Sequence, residues 1–174
     1  SNAMNPVRSL YVTPETFVKW NEETPPIFTI CSATRYHGTT AEGNWNQNIL
    51  IWDMYRYVGH DSGNRGMLTW GIYGEYLTSN GPIPVPNAQS TDWLIQCITN
   101  GRSTDSYYFI VQTDWSGPPA GATSASQRAI QVNNGGKDSH CNIHSVYIWD
   151  TELSATDMKI VTAGLRKEIG GVPD

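Results

Sequence analysis

Only one stretch of this chain carries the markings of a helix: "SVYIWDTELSATDMKIVTAGLRKEIGG", residues 145–171. Its opening is β-branched and aromatic and reads as a strand. Its remainder has end signals at both termini. Ser154 stands at the N-cap with Asp157 at N3, a shortened capping box whose carboxylate also faces the positive end of the helix dipole. Leu153 and Met158 take the N′ and N4 positions of a hydrophobic staple. Met158, Val161, Leu165 and Ile169 form one apolar stripe at i, i+3, i+7 and i+11. Arg166 and Lys167 fall in the last turn, and Gly170-Gly171 stop it. The spacing predicts a helix over 155–168. A helix with a single stripe must lay it on the outside of another layer.

The rest of the chain reads as strands. "IFTICSATRY" (27–36) follows Pro25-Pro26, and "NILIWDMYRYV" (48–58) runs between Gly43 and Gly59. "MLTWGIYGEYL" (67–77) holds two glycines and reads as a bent or bulged pair. "DWLIQCIT" (92–99), "DSYYFIVQT" (105–113), "RAIQVN" (128–133) and "HSVYIW" (144–149) complete the set. Asn100-Gly101 marks a hairpin turn, and "SGPPAGATSAS" (116–126) a surface loop. Roughly seven to ten strands with no helical pattern between them imply a sandwich or barrel. Runs such as Tyr107, Phe109 and Val111 against Tyr108 and Ile110 are apolar on both faces, so each must be covered on both sides. The two Trp-Asp pairs, at Trp52-Asp53 and Trp149-Asp150, stand too far apart for propeller blades.

Composition narrows the function. Ser1-Asn2-Ala3 before Met4 reads as the scar of a cleaved tag, which puts one domain at 4–174. Formal charge is −5 with only eleven Lys and Arg and no basic run, which argues against a nucleic-acid partner. No apolar stretch reaches the length of a membrane span, so membrane insertion is not expected. Seven Trp and nine Tyr against three Phe favour rings with a polar handle, suited to wet recognition surfaces as well as cores. Cys31, Cys97 and Cys141 each lie in or beside an apolar run. Free buried thiols are the plainer reading; one disulfide with a leftover thiol is the alternative. No N-x-Ser/Thr sequon occurs, and the compartment stays open.

The ending "VYIWDTELSATDM" followed by a short helix resembles that of concanavalin A-like jelly rolls of the laminin G-like type. Their last strand often reads apolar-x-apolar-aromatic-(Asp/Asn)-x-x-Leu-Ser-x-x-(Glu/Asp), matched by Val146, Ile148, Trp149, Asp150, Leu153, Ser154 and Asp157. "PIFTICSATRY", "DWLIQCI", "SYYFIVQTDWSG" and "AIQVNNGG" are similar to further strands of that superfamily, so the resemblance runs from Phe28 to Ile169. It implies an all-β fold: an antiparallel β-sandwich, a concanavalin A-like jelly roll, with one C-terminal helix. It also implies an extracellular or surface-displayed setting. These are motifs of architecture, and function must be argued from a site.

Jelly-roll glycosidases resembling this fold place an acid-x-acid-x-x-acid triplet on one strand, since retaining chemistry needs carboxylates about 5 Å apart. No such triplet occurs, and Asp150 and Glu152 read as turn and cap residues. "GHDSGNRG" (59–66) puts Ser62 one place late for a nucleophile elbow, and His37 lacks a protease context. The motifs lean against an enzyme. "HCNIH" sets His140 and His144 on one strand face with Cys141 on the other, but zinc needs three or four convergent ligands. No cofactor is indicated. Ca²⁺ is allowed by the resemblance, through Asp61, Asp114 and Asp138 in separate loops.

Recognition remains. Sugar binding wants an aromatic plate for the ring's C–H face and amides or carboxylates for its hydroxyls. "EGNWNQN" (42–48), "TDWSG" (113–117) and "VNNGG" (132–136) offer both. The expected ligand residues are Trp45, Asn46, Asp114, Trp115, Asn133 and Asn134. The sequence reads as a non-catalytic, lectin-like module for a glycan, with protein adhesion or a structural role as the alternative and a hydrolase or lyase third.

Overall fold

The computed structural model describes residues 6–13, 15–16, 18–37, 49–53, 56–60, 67–72, 75–76, 83–84, 93–99, 108–110, 115–117, 129–132 and 140–170. These hold thirteen strands and one helix, α1 (Ala155–Glu168), and every strand pairing is antiparallel. One sheet has the order β1 (Leu10–Val12), β13 (Cys141–Trp149), β3 (Thr29–Tyr36), β9 (Leu94–Thr99), β10 (Tyr108–Ile110) and β11 (Trp115–Gly117). The other runs β2 (Val18–Glu23), β12 (Ala129–Val132), β4 (Leu50–Asp53), β5 (Arg56–His60), β6 (Met67–Ile72) and β7 (Glu75–Tyr76). β8 (Ile83–Pro84) adds to β6. The chain is an all-β sandwich with one helix.

Side chains alternate across the pleat, so β3 feeds two cores. Ile30 and Tyr36 point into the sandwich with Leu94 of β9, Cys141 and Ile143 of β13, and Leu50, Ile130 and Val132 of the facing sheet. Cys31 and Ala33 point outward, with Trp93, Ile95 and Cys97, and meet Met158, Leu165 and Ile169 of α1. Three layers result: sheet, sheet, helix.

The helix keeps its expected bounds for the expected reasons. The Ser154 hydroxyl oxygen accepts the Asp157 N–H at 3.2 Å and donates its own proton to the Asp157 carboxylate at 2.6 Å. Gly170 ends the helix at φ 83°, a left-handed turn that a side chain disfavours. The preceding turn is held by the Thr29 hydroxyl, which donates to the Thr151 carbonyl and accepts the Leu153 N–H, each at 2.9 Å. Leu153 and Met158 both enter the helix-side core, as a staple should.

Several expectations change. The run 48–58 is two strands, not one: β4 and β5 pair with each other, Asp53 opposite Arg56, and no glycine or asparagine stands between them in the sequence to announce it. β1 and β2 were not expected; both are sheet edges, and β2 turns Val18 and Trp20 toward the sandwich core while Lys19 and Asn21 face out. Ser116 and Gly117, expected in a loop, close β11 against β10. The bent pair at 67–77 is realised as β6 and β7. The Asn100-Gly101 turn lies outside the described residues.

The cysteines depart from the plainer reading. Cys31 and Cys97 face each other directly across β3 and β9 and form a disulfide. Cys141 is a free, buried thiol, and burial pushes its pKa up to about 12. Only the register of two strands 66 residues apart brings the first pair together.

Two outcomes follow from these contacts. Leu165→Ala, at the helix–sheet seam, should lower unfolding free energy by about 2–5 kcal/mol in urea denaturation; a loss below about 0.5 kcal/mol, typical of surface sites, would mean that the helix lies outside the cooperative core. The neutral thiol of Cys141 is favoured in the fold, so its contribution is complete below the unfolded pKa and is lost as pH rises from there through about 12. Stability measured from pH 8 to pH 12 should therefore fall less steeply for Cys141→Ala than for the unsubstituted chain.

Candidate functional site

The helix covers only part of the outer face of the β3 sheet. Beyond it, toward the end of β3 and the start of β13, that face turns polar. Tyr36 pairs with Cys141, so the next opposed pair is His37 and His140, closed by the His37 N–H donating to the His140 carbonyl at 2.8 Å. Cys141 and Tyr36 face the core. Alternation therefore turns His37, His140, Arg35 and Asn142 to the outer side. Tyr11 of β1 lies opposite Asn142 and joins them.

The cluster is closely bonded. Tyr11 Oη lies 2.8 Å from His140 Nδ1. His37 Nδ1–H donates to Asn142 Oδ1 at 3.0 Å, and Asn142 Nδ2–H donates to Ser9 Oγ at 3.2 Å. The Tyr11 ring centroid is 4.6 Å from that of His37, tilted by 52°, and 6.2 Å from that of His140, stacked within 21°. Tyr11 is 46% exposed, and both imidazoles are exposed, whereas Asn142 is buried beneath them. Next along the face, the Arg35 guanidinium lies 4.9 Å over the buried ring of Trp93. At the rim, a hydrogen bond from Thr13, its own backbone N–H and the charge of His140 hold the exposed Glu15 carboxyl below its ordinary range.

His144 plays a different part. A β-bulge between Ile143 and Ser145 leaves it without an opposed residue. Its Nδ1–H donates to the Arg8 carbonyl at 2.8 Å, its Nε2 lies 3.3 Å from the Glu168 carboxylate, and its ring meets Trp93 edge-on at 6.2 Å. It braces strand to helix. Of the two histidines in "HCNIH", His140 takes its partners from β1 and β3, and His144 takes its own from Arg8, Glu168 and Trp93.

Of the residues expected to bind ligand, Trp45, Asn46, Asp114, Asn133 and Asn134 lie outside the described residues, as do Asp61 and Asp138. Trp115 opens β11, the edge strand farthest from β1 in the same sheet. Tyr11, His37 and Asn142 were not expected. Their signal is faint because β1 is three residues long and the His37–His140 pairing depends on register between remote segments. Among the described residues, no group of three or more His, Cys, Asp and Glu side chains is placed to hold a metal.

No family model and no curated protein matches the chain. Solved structures do. A mutant of Trypanosoma rangeli sialidase displaying trans-sialidase activity superposes with a TM-score of 0.61 at 11% identity, over 99% of this chain and 30% of that one. The T. rangeli sialidase in complex with sialic acid gives 0.56 at 11% identity, with the same coverage. The Ca²⁺/Man-bound exoplasmic/lumenal domain of VIP36 gives 0.41 at 10% identity over 89% of this chain and 83% of that one. The chain spans about 30% of the length of the sialidase chains it matches. The likeness places it among β-sandwich, jelly-roll-like folds.

Proposed function

We propose that the chain is a non-catalytic carbohydrate-recognition module of the concanavalin A-like, laminin G-like class, working outside the cell or displayed on its surface. The observation that carries this reading is the exposed Tyr11 ring, bordered by two imidazoles with Asn142 beneath. An aromatic face gives a sugar ring its C–H contact, and the flanking nitrogens and hydroxyl meet its hydroxyl groups. The Cys31–Cys97 disulfide supports an oxidising compartment. A sialidase seen with sialic acid contains a stretch of this architecture, which makes sialylated glycans a rational first choice of ligand. Trp45, Asn46, Asp114, Trp115, Asn133 and Asn134 are a second proposed surface, and Asp61, Asp114 and Asp138 the proposed Ca²⁺ ligands.

The alternative is protein adhesion. β1 covers only Cys141–Ile143 of β13, and Leu10, Tyr147 and Ile148 are exposed along these two strands. Tyr147 and Trp149 stand 6.0 Å apart on the same side.

A glycan array that includes sialylated structures, read with Ca²⁺ and with chelator, separates these readings. We expect a restricted set of glycans to be retained, with at least a tenfold loss in Tyr11→Ala. Loss in Trp115→Ala alone would move the site to the far edge of the sheet. Silence under both conditions, together with a defined oligomer by light scattering, would replace the lectin reading with adhesion.

A further inference from the structure

We propose that His37 and His140 together form a binding site for an imidazole-preferring divalent ion, Zn²⁺ or Cu²⁺. Directly opposed residues on antiparallel strands hold their Cβ atoms about 5 Å apart. Two side chains of equal length on one face can therefore bring their ring nitrogens to a common ion. The strand ends that carry them are fixed by the pairing of Thr34, Arg35 and Tyr36 with Ile143, Asn142 and Cys141 and by the backbone bond between the two histidines themselves.

The ring nitrogens are already sorted. Each Nδ1 has a protein partner, Asn142 Oδ1 for His37 and the Tyr11 hydroxyl for His140. Because the amide oxygen only accepts, the His37 proton sits on Nδ1 and the lone pair on Nε2. The phenol can accept as well as donate, so the His140 form with Nδ1–H toward Tyr11 likewise leaves Nε2 to a metal. Metal-binding histidines fix their tautomer and orientation through such a bond at the second nitrogen. Both rings are exposed, so an ion has a path in.

Two imidazoles suit Zn²⁺ and Cu²⁺ and discriminate against Ca²⁺, which asks for oxygen ligands. With two protein ligands the remaining positions fall to water or to oxygens of a bound molecule, so the site is open. It uses none of the aspartates proposed for Ca²⁺ and does not depend on the glycan reading.

Titration calorimetry of the full chain with ZnCl₂ and with CuSO₄, and with CaCl₂ as control, tests this directly. We expect one equivalent of Zn²⁺ or Cu²⁺ to bind, with affinity at least tenfold lower in His37→Gln and in His140→Gln and unchanged in His144→Gln. Tyr11→Phe removes an outer-shell partner and should weaken binding by about 10–100-fold. Electron paramagnetic resonance of the Cu²⁺ complex of the unsubstituted chain should show two coordinated nitrogens, a readout that needs no variant to fold. No saturable binding, binding that survives His37→Gln, equal loss in His144→Gln, or a spectrum without two nitrogens would overturn the proposal.

Discussion

The structure depends on one strand serving two interiors. β3 is covered on one side by the facing sheet and on the other by α1, so each of its residues is assigned to a layer by position alone. Burial of apolar surface on both faces is the main favourable term, at about 25 cal/mol per Å². It is also what makes register strict, because a slip of one residue would exchange the two cores. The small residues on its outer side matter as much as the large ones on its inner side. Cys31 and Ala33 leave room for Met158 and Leu165 to approach the sheet.

What could be read from the sequence follows from how local each signal is. The helix was legible because cap, staple, stripe and stop all lie within the eighteen consecutive residues from Leu153 to Gly170. Central strands were legible from apolar runs. The edges β1 and β2 were not: β1 is three residues long, and the alternation of β2 rests on Val18 and Trp20 alone. The hairpin at Asp53 and Arg56 was hidden for want of a turn residue. Cys31 and Cys97 meet only once β3 and β9 are placed side by side. The same holds for His37 and His140. In the candidate site, sequence could name residue types with suitable chemistry but could not reveal which remote segments share a face.

The outer face of the β3 sheet is thus divided between two uses. Under α1 it is apolar and structural. Past the helix it is polar, aromatic and open, with Trp93 buried between the two as a floor for Arg35 and His144. Side chains placed on strand ends rather than on loops have their spacing held by the backbone ladder.

The bulge at His144 has a consequence for how the chain can vary in length. Up to Ile143, the even-numbered residues of β13 face outward; after the bulge, the odd-numbered ones do, which brings Asn142 and Trp149 to the same side. A homologue one residue shorter at this point would keep both halves in phase and lose only the brace to Arg8 and Glu168. One shorter or longer anywhere else along the strand would turn part of it inside out. Residue count, more than residue identity, is what selection must guard along this strand.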